Sequence, residues 1–262
     1  MRIRAVISVL ENFAPPALQE SWDNTGLQIG NPMDECSGAL LCLDVTEAVI
    51  AEAVDRGCNL VVSHHPLIFN PLKSVTDDTS IGRAVQLLCA NGISAINAHT
   101  NLDCAPGGVN DCLAQALGLE NIRVIDPAGV DEQGRDWGLL RQGTVESQPL
   151  AQFLPHVKAA LGCEGLRYAD GGKPVHRVAV GGGACASELA DAVNAGCDTF
   201  VTADVKYNQF WDARDLGLTL IDAGHFPTEN PVVSLLAGKI SEGFPEVTVK
   251  ISETHRDCMK FF

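Results

Sequence analysis

Apolar positions at Ile3, Val6, Ile7, Leu10 and Phe13 open the chain with the spacing of one helix face, which Pro15-Pro16 should end. Short apolar runs then alternate with helical patterns, twice over. In the first half, Ala39–Asp44, Leu60–Ser63 and Ile93–Ala98 read as strands, separated by a helix from Thr46 and another near Ile81–Ala90. In the second, strands at Arg177–Gly181, Thr199–Thr202 and Leu218–Asp222 are separated by helices near Ser187–Ala195 and Tyr207–Asp215. This alternation predicts an α/β fold on mostly parallel sheets. Val109, Cys112, Leu113, Ala116 and Leu117 mark a further helix over 109–117, and Pro155 should start or kink one over 150–161.

The halves repeat one another. Glu52-Ala-Val-Asp-Arg-Gly-Cys-Asn-Leu-Val-Val-Ser63 matches Asp191-Ala-Val-Asn-Ala-Gly-Cys-Asp-Thr-Phe-Val-Thr202. Gly92-Ile-Ser-Ala-Ile-Asn-Ala-His99 matches Gly217-Leu-Thr-Leu-Ile-Asp-Ala-Gly-His225, with one residue inserted. An internal duplication of this kind places the boundary in the Asp-, Gly-, Arg- and Gln-rich stretch 121–147. The expected lobes are 1–125 and 126–262, forming one functional unit with its site between them.

Composition narrows the function. Eighteen Lys and Arg against 33 Asp and Glu leave a net charge of −15, which repels phosphate backbones and anionic membranes, so nucleic acid is not expected as a partner. No apolar run reaches the roughly 18 to 20 residues that span a bilayer, and no membrane role is expected. The ten cysteines show no CxxC spacing, and Cys42, Cys89 and Cys112 sit in apolar segments, which predicts buried reduced thiols. Since Ala5–Leu10 is too short an apolar stretch for a signal peptide, the chain is expected to be cytoplasmic.

Four histidines, His64, His65, His99 and His225, directly follow predicted strands, where α/β sheets gather their ligands. His156, His176 and His255 lack that placement and read as hydrogen-bonded side chains. Asp103 and Glu229 each stand four residues after a histidine, in stretches that Pro106 and Pro227 mark as loops. Imidazoles with carboxylates suit Zn, Fe, Mn or Ni better than Ca or Mg. In extended backbone His64 and His65 point opposite ways, so each would serve one of two ions. Such ions lie about 3.5 to 4 Å apart, and Glu229 is the candidate bridge. Asp204 corresponds to His65 in the repeat register and reads either as a further group at the site or as a solvated or capping aspartate. Gly181-Gly182-Gly183 reads as a tight turn in preference to a phosphate cradle. Trp22-Asp23-Asn24 is either a turn or a pocket wall. Lys73 and Lys206 follow the histidine loops closely enough to meet an anionic substrate, although surface lysines are usually just solvated.

The blocks Ser21-Trp-Asp-Asn-Thr-Gly-Leu-Gln-Ile-Gly30, Ser63-His-His-Pro-Leu-Ile-Phe69, Ala98-His-Thr-Asn-Leu-Asp103 and Gly224-His-Phe-Pro-Thr-Glu229 resemble the Nif-three-like family. Its members are also described as dinuclear metal-centre proteins of the YbgI type or GTP cyclohydrolase I type 2 homologues. The resemblance implies two pseudo-symmetric α/β lobes in the short form, without an inserted middle domain, and a toroidal homohexamer. It implies two divalent metal ions per subunit with His64, His65, Asp103, His225 and Glu229 as ligands. His99 then stands behind them, orienting Asp103 or acting on a bound water. Where relatives read much like Thr-Gly-Asp and Lys-Tyr-His, this chain has Thr202-Ala203-Asp204 and Lys206-Tyr207-Asn208.

Two functions follow from this. The favoured one is a metal-dependent hydrolase of the GTP cyclohydrolase type, acting on a nucleotide or related heterocycle. The alternative is a metal-binding regulatory or assembly protein without turnover, consistent with the lack of a Walker motif or dinucleotide fingerprint.

Overall fold

All six strands predicted from the repeated apolar runs form, within a computed structural model that describes residues 1–262. Two compact units divide the chain: Met1–Ala105 with Val233–Arg256, and Pro106–Val232 with Asp257–Phe262.

In the first unit the strands are β1 (Gly26–Ile29), β2 (Gly38–Cys42), β3 (Leu60–Ser63), β4 (Ser94–Asn97) and β13 (Thr248–Ile251), in the order β1-β4-β3-β2-β13. β1 is antiparallel to β4, and the other pairs are parallel. Every residue of β2, β3 and β4 is buried, which is why these strands lack charged residues and read as mainly apolar runs without strict alternation. The helices are α1 (Ile3–Phe13), α2 (Glu47–Asp55), α3 (Ser80–Ala90) and α4 (Thr100–Cys104). α1 buries Ile3, Val6, Ile7 and Leu10 as its periodicity requires. Thr46 and Thr79 cap α2 and α3, their hydroxyl oxygens accepting from Val49 and Gly82 N–H.

The second unit carries α5 (Val109–Ala116), β5 (Glu120–Val124), the short pair β6 (Gly129–Val130) and β7 (Asp136–Trp137), and β8 (Arg141–Gln148). Next come α6 (Leu150–Leu161), β9 (Arg167–Ala169), β10 (Val175–Val180), α7 (Leu189–Asn194), β11 (Thr199–Thr202), α8 (Tyr207–Asp215), β12 (Thr219–Asp222) and α9 (His225–Glu229). Its sheet runs β5-β8-β10-β11-β12-β9, with β10, β11 and β12 parallel and the outer strands antiparallel. Alternate strand residues enter two cores: Val178, Val180, Val201 and Ile221 join Phe153, whereas Ala179, Phe200 and Leu220 join Ala213. Three parallel strands with an antiparallel strand beyond the third thus recur in both units, as the duplication implies.

Four expectations are corrected. The cut near 125 falls instead at Ala105/Pro106, because Leu113, Ala114 and Leu117 pack into the second unit's core and 121–147 supplies strands β5 to β8. The chain also returns to the first unit at Val233, within α10 (Pro231–Gly243). Pro155 does not start α6, which begins at Leu150 and contains it, so of the two expected roles only the kink is left. Pro155 lies on an exposed face, so water can satisfy the Ala151 carbonyl that loses its helical donor. Of the cysteines expected inside, Cys42 is buried and Cys112 half-buried, but Cys89 is exposed because α3 turns Ala84, Val85 and Leu88 inward. No helix is long and apolar enough to cross a membrane.

Candidate metal centre

β3 ends at Ser63, and the alternation of side chains ends with it. The His64 and His65 rings converge, with centroids 4.9 Å apart, instead of pointing opposite ways as extended backbone would dictate. His99 enters from the end of β4, its ring 5.3 Å from His64 and 5.7 Å from His65. One nitrogen from each of the three lies within 4.8 Å of the others, which makes this trio a potential metal-binding group. The structure therefore brings His99 beside the two candidate ligands. Asp103 follows on α4, and its Oδ1 is 3.5 Å from His64 Nε2.

Both His-x-x-x-carboxylate stretches are short helices, α4 and α9, and not loops. Pro106 falls after α4 ends, and Pro227 lies in the first turn of α9, where a missing N–H costs nothing. Helical i, i+4 spacing then sets His225 and Glu229 on one face, with His225 Nε2 3.1 Å from Glu229 Oε2.

The protonation of the rings follows from their other partners. His64 Nδ1 is 2.8 Å from the Ala98 carbonyl, which only accepts, so Nδ1 carries a proton, and in the neutral ring Nε2 keeps the lone pair. His65 Nδ1 lies 2.8 Å from Asp44 Oδ1, His99 Nδ1 2.8 Å from Asp23 Oδ1, and His225 Nδ1 2.8 Å from Asp204 Oδ2. Burial alone would raise the Asp23 carboxyl, but hydrogen bonds from His99 and Thr100 outweigh it and bring the group down to about 2. Asp44 is likewise lowered against its burial, by His255 and His65. As ionised acceptors these aspartates hold Nδ1–H, the arrangement that aims Nε2 at a metal. In each unit an imidazole Nε2 then faces a carboxylate oxygen, His64 to Asp103 and His225 to Glu229. Such a pair is bridged by a proton when the ring is charged and can hold a cation when it is neutral, and its nitrogen and oxygen donors suit a divalent transition metal.

Glycine completes the second unit's set. A Cβ on Gly183, whose φ is +62°, would stand 2.1 Å from Glu229 Oε1 and 3.1 Å from His225 Nε2. The glycine run is a turn whose amides are already engaged: Gly181, Gly182 and Gly183 N–H donate to Val201 O, Asn110 Oδ1 and Thr228 Oγ1. Asp204 sits at φ 51°, uncommon for a residue with a side chain, and its carboxylate orients His225. Lys73 and Lys206 are exposed, and Lys206 N–H donates to Gln209 Oε1 at the start of α8.

Sequence reasoning left Trp22-Asp23-Asn24 open and passed over Asp44. The Asp23 carboxylate is fully buried against His99 and Thr100. Trp22, 58% exposed, and Phe69, 42% exposed, pair at 5.8 Å, each within 6.4 Å of the His99 ring. Asn24 and Gln28 staple this rim by hydrogen bonds to the Ile68 carbonyl. His255, as expected of a histidine away from strand ends, is hydrogen-bonded, its Nε2 accepting from the Asp44 N–H at 3.3 Å and lying 3.1 Å from Asp44 Oδ2.

The family model described as Duf34/NIF3 (NGG1p interacting factor 3) matches residues 1–258. The chain belongs to the NIF3 family. Among NIF3 relatives, a Clostridium perfringens protein named as a GTP cyclohydrolase 1 type 2 homolog is 34% identical over 266 residues, covering 100% of both chains. A Helicobacter pylori protein named GTP cyclohydrolase 1 type 2 is 32% identical over 240 residues, covering 90% of each. The crystal structure of a Bacillus cereus protein related to NIF3 superposes with a TM-score of 0.94 at 28% identity, covering 100% of this chain and 99% of that one.

Proposed function

We propose that this NIF3 protein is a dinuclear metal-dependent hydrolase acting on a nucleotide or related heterocycle. His64, His65 and Asp103 of the first unit and His225 and Glu229 of the second are the ligands of two divalent ions of the Zn, Fe, Mn or Ni type. The observation that carries this reading is the fixing of Nδ1 on His64, His65 and His225 by oxygen acceptors, which makes Nε2 the nitrogen through which each neutral ring would bind metal. When bound, such ions supply Lewis acidity and activate a water.

The remaining steps belong to the chain. His99, oriented by Asp23, moves a proton at Nε2. Trp22 and Phe69 offer faces for a planar ring, and Lys73 and Lys206 supply positive charge for its anionic group. The GTP cyclohydrolase names of the relatives support a purine nucleotide as the first substrate to try. The toroidal homohexamer implied by the family blocks belongs to the same proposal, and sedimentation equilibrium tests it against six times the 27.8 kDa chain mass.

The test is elemental analysis of protein purified without chelators, beside His65→Ala and His99→Ala, followed by incubation with GTP and a nucleotide panel. Two metals per chain, a loss in His65→Ala, and metal-dependent product formation that fails in His99→Ala are the expected results. Unchanged stoichiometry in His65→Ala would refute the ligand assignment. Full metal without turnover on any nucleotide would move the protein to the regulatory or assembly reading.

A further inference from the structure

We propose that the turn after β13 is a positioning element of the metal centre, in which His255 grips Asp44 and through it sets the ring of His65. The inference rests on the reading of His65 as a ligand. Asp44 meets both histidines: Oδ1 is 2.8 Å from His65 Nδ1, Oδ2 is 3.1 Å from His255 Nε2, and the Asp44 N–H donates to that same His255 nitrogen at 3.3 Å. The Asp44 side chain is 48% exposed, so packing alone does not hold its rotamer. With His65 on one oxygen and His255 against both the other oxygen and the Asp44 N–H, the carboxylate has little room to turn, and the imidazole bonded to it keeps its direction.

What holds His255 is a buried carboxylate on α2. Glu52, 6% exposed, accepts from Ser252 Oγ at 2.6 Å, Glu253 N–H at 2.9 Å, and Thr254 N–H and Oγ1 at 3.1 and 2.7 Å. Its own charge is balanced by Arg56, 3.1 Å away. A charge this enclosed is costly unless its acceptors are filled, and filling them draws three consecutive residues of the terminal turn onto α2. Ser252 Oγ then accepts the His255 N–H at 3.1 Å, which sets where the imidazole emerges. The path runs from Glu52 through residues 252–254 to His255, Asp44 and His65, all within one unit.

The experiment loads the full chain with Co(II) and measures both ion affinities by competition with a chromophoric chelator, alongside the visible absorption bands. Asp44→Asn should weaken one of the two ions by about tenfold to a hundredfold. His255→Ala should weaken that same ion and shift its bands with its melting temperature near wild type. His255→Gln, whose side-chain N–H can still reach Asp44, should restore affinity and spectrum; a merely structural role for His255 would leave the bands unmoved. Wild-type affinity and bands in His255→Ala, with the ion lost in His65→Ala, would overturn the inference alone. Full stoichiometry in His65→Ala would overturn the ligand assignment on which it rests.

Discussion

Gly183→Ala perturbs the ligand set proposed for the second unit without replacing any of its residues. Two effects are built into the substitution. The first is backbone strain: at φ +62° a residue with a Cβ costs about 1 to 2 kcal/mol. The second is a collision, since the new methyl would lie 2.1 Å from Glu229 Oε1. To reach ordinary contact the carboxylate must withdraw by about 1 Å or more. Glu229 is only 4% exposed, and α9 is tied to the glycine turn through Thr228 Oγ1, so small adjustments cannot provide that distance.

Gly162→Ala separates the two effects. Gly162 sits at φ +65° after α6, with nothing within 4 Å of its would-be Cβ. It therefore carries the strain without the collision. Urea melts should show both variants losing about 1 to 2 kcal/mol, with Gly183→Ala losing more. Chelator competition should show wild-type metal affinity in Gly162→Ala and a loss of about tenfold or more in Gly183→Ala. If Gly183→Ala binds metal as Gly162→Ala does, the Glu229 carboxylate is not a ligand.

Other perturbations test other parts of the argument. The Glu52 carboxyl is depressed from 4.5 to about 2 by the donors that outweigh its burial, so its stabilisation is present above pH 4.5 and lost as pH falls toward about 2. That is at most about 3 kcal/mol at neutral pH, and Glu52→Gln should flatten the acid limb of stability measured by denaturant melts. Trp22→Ala and Phe69→Ala should weaken guanosine and GTP binding about tenfold in calorimetry while metal content stays unchanged. An equal loss for tripolyphosphate would remove the stacking role. Phe200→Ala, in a fully buried position on β11, should cost about 3 to 5 kcal/mol in a urea melt without altering metal content.

The parallel strands were legible because both their faces are buried, which leaves no charged residue in Leu60–Ser63 or Thr199–Thr202 and puts adjacent apolar side chains at their centres. The antiparallel strands were not. Arg141–Gln148 is polar along most of its length and becomes a strand through β5 and β10, partners that no local pattern announces. The candidate metal centre divides the same way. His-x-x-x-carboxylate spacing selected Asp103 and Glu229, but a helix rule about proline was applied where it has no force, in the first turn of α9. The partners of the histidines were out of reach: His99 finds Asp23 across 76 positions and His65 finds Asp44 across 21. Only the folded sheet brings them together.

These partners also resolve a tension in the charge. A chain at −15 should repel an anionic substrate, and acids crowd the candidate centre. Yet Asp23, Asp44 and Asp204 each point a carboxylate oxygen at an imidazole Nδ1, so much of their charge is directed into hydrogen bonds behind the rings. What the rings present forward is a lone pair, neutral in itself and made a stronger donor by the carboxylate behind it. His64 differs: its Nδ1 partner is a neutral carbonyl, and the carboxylate of Asp103 stands on its other side. The first unit thus offers a cation one ring polarised from behind by Asp44 and one ring paired at the front with Asp103. Divalent ions bound there would reverse the local sign of the field, which is the condition for a nucleotide to approach so acidic a protein.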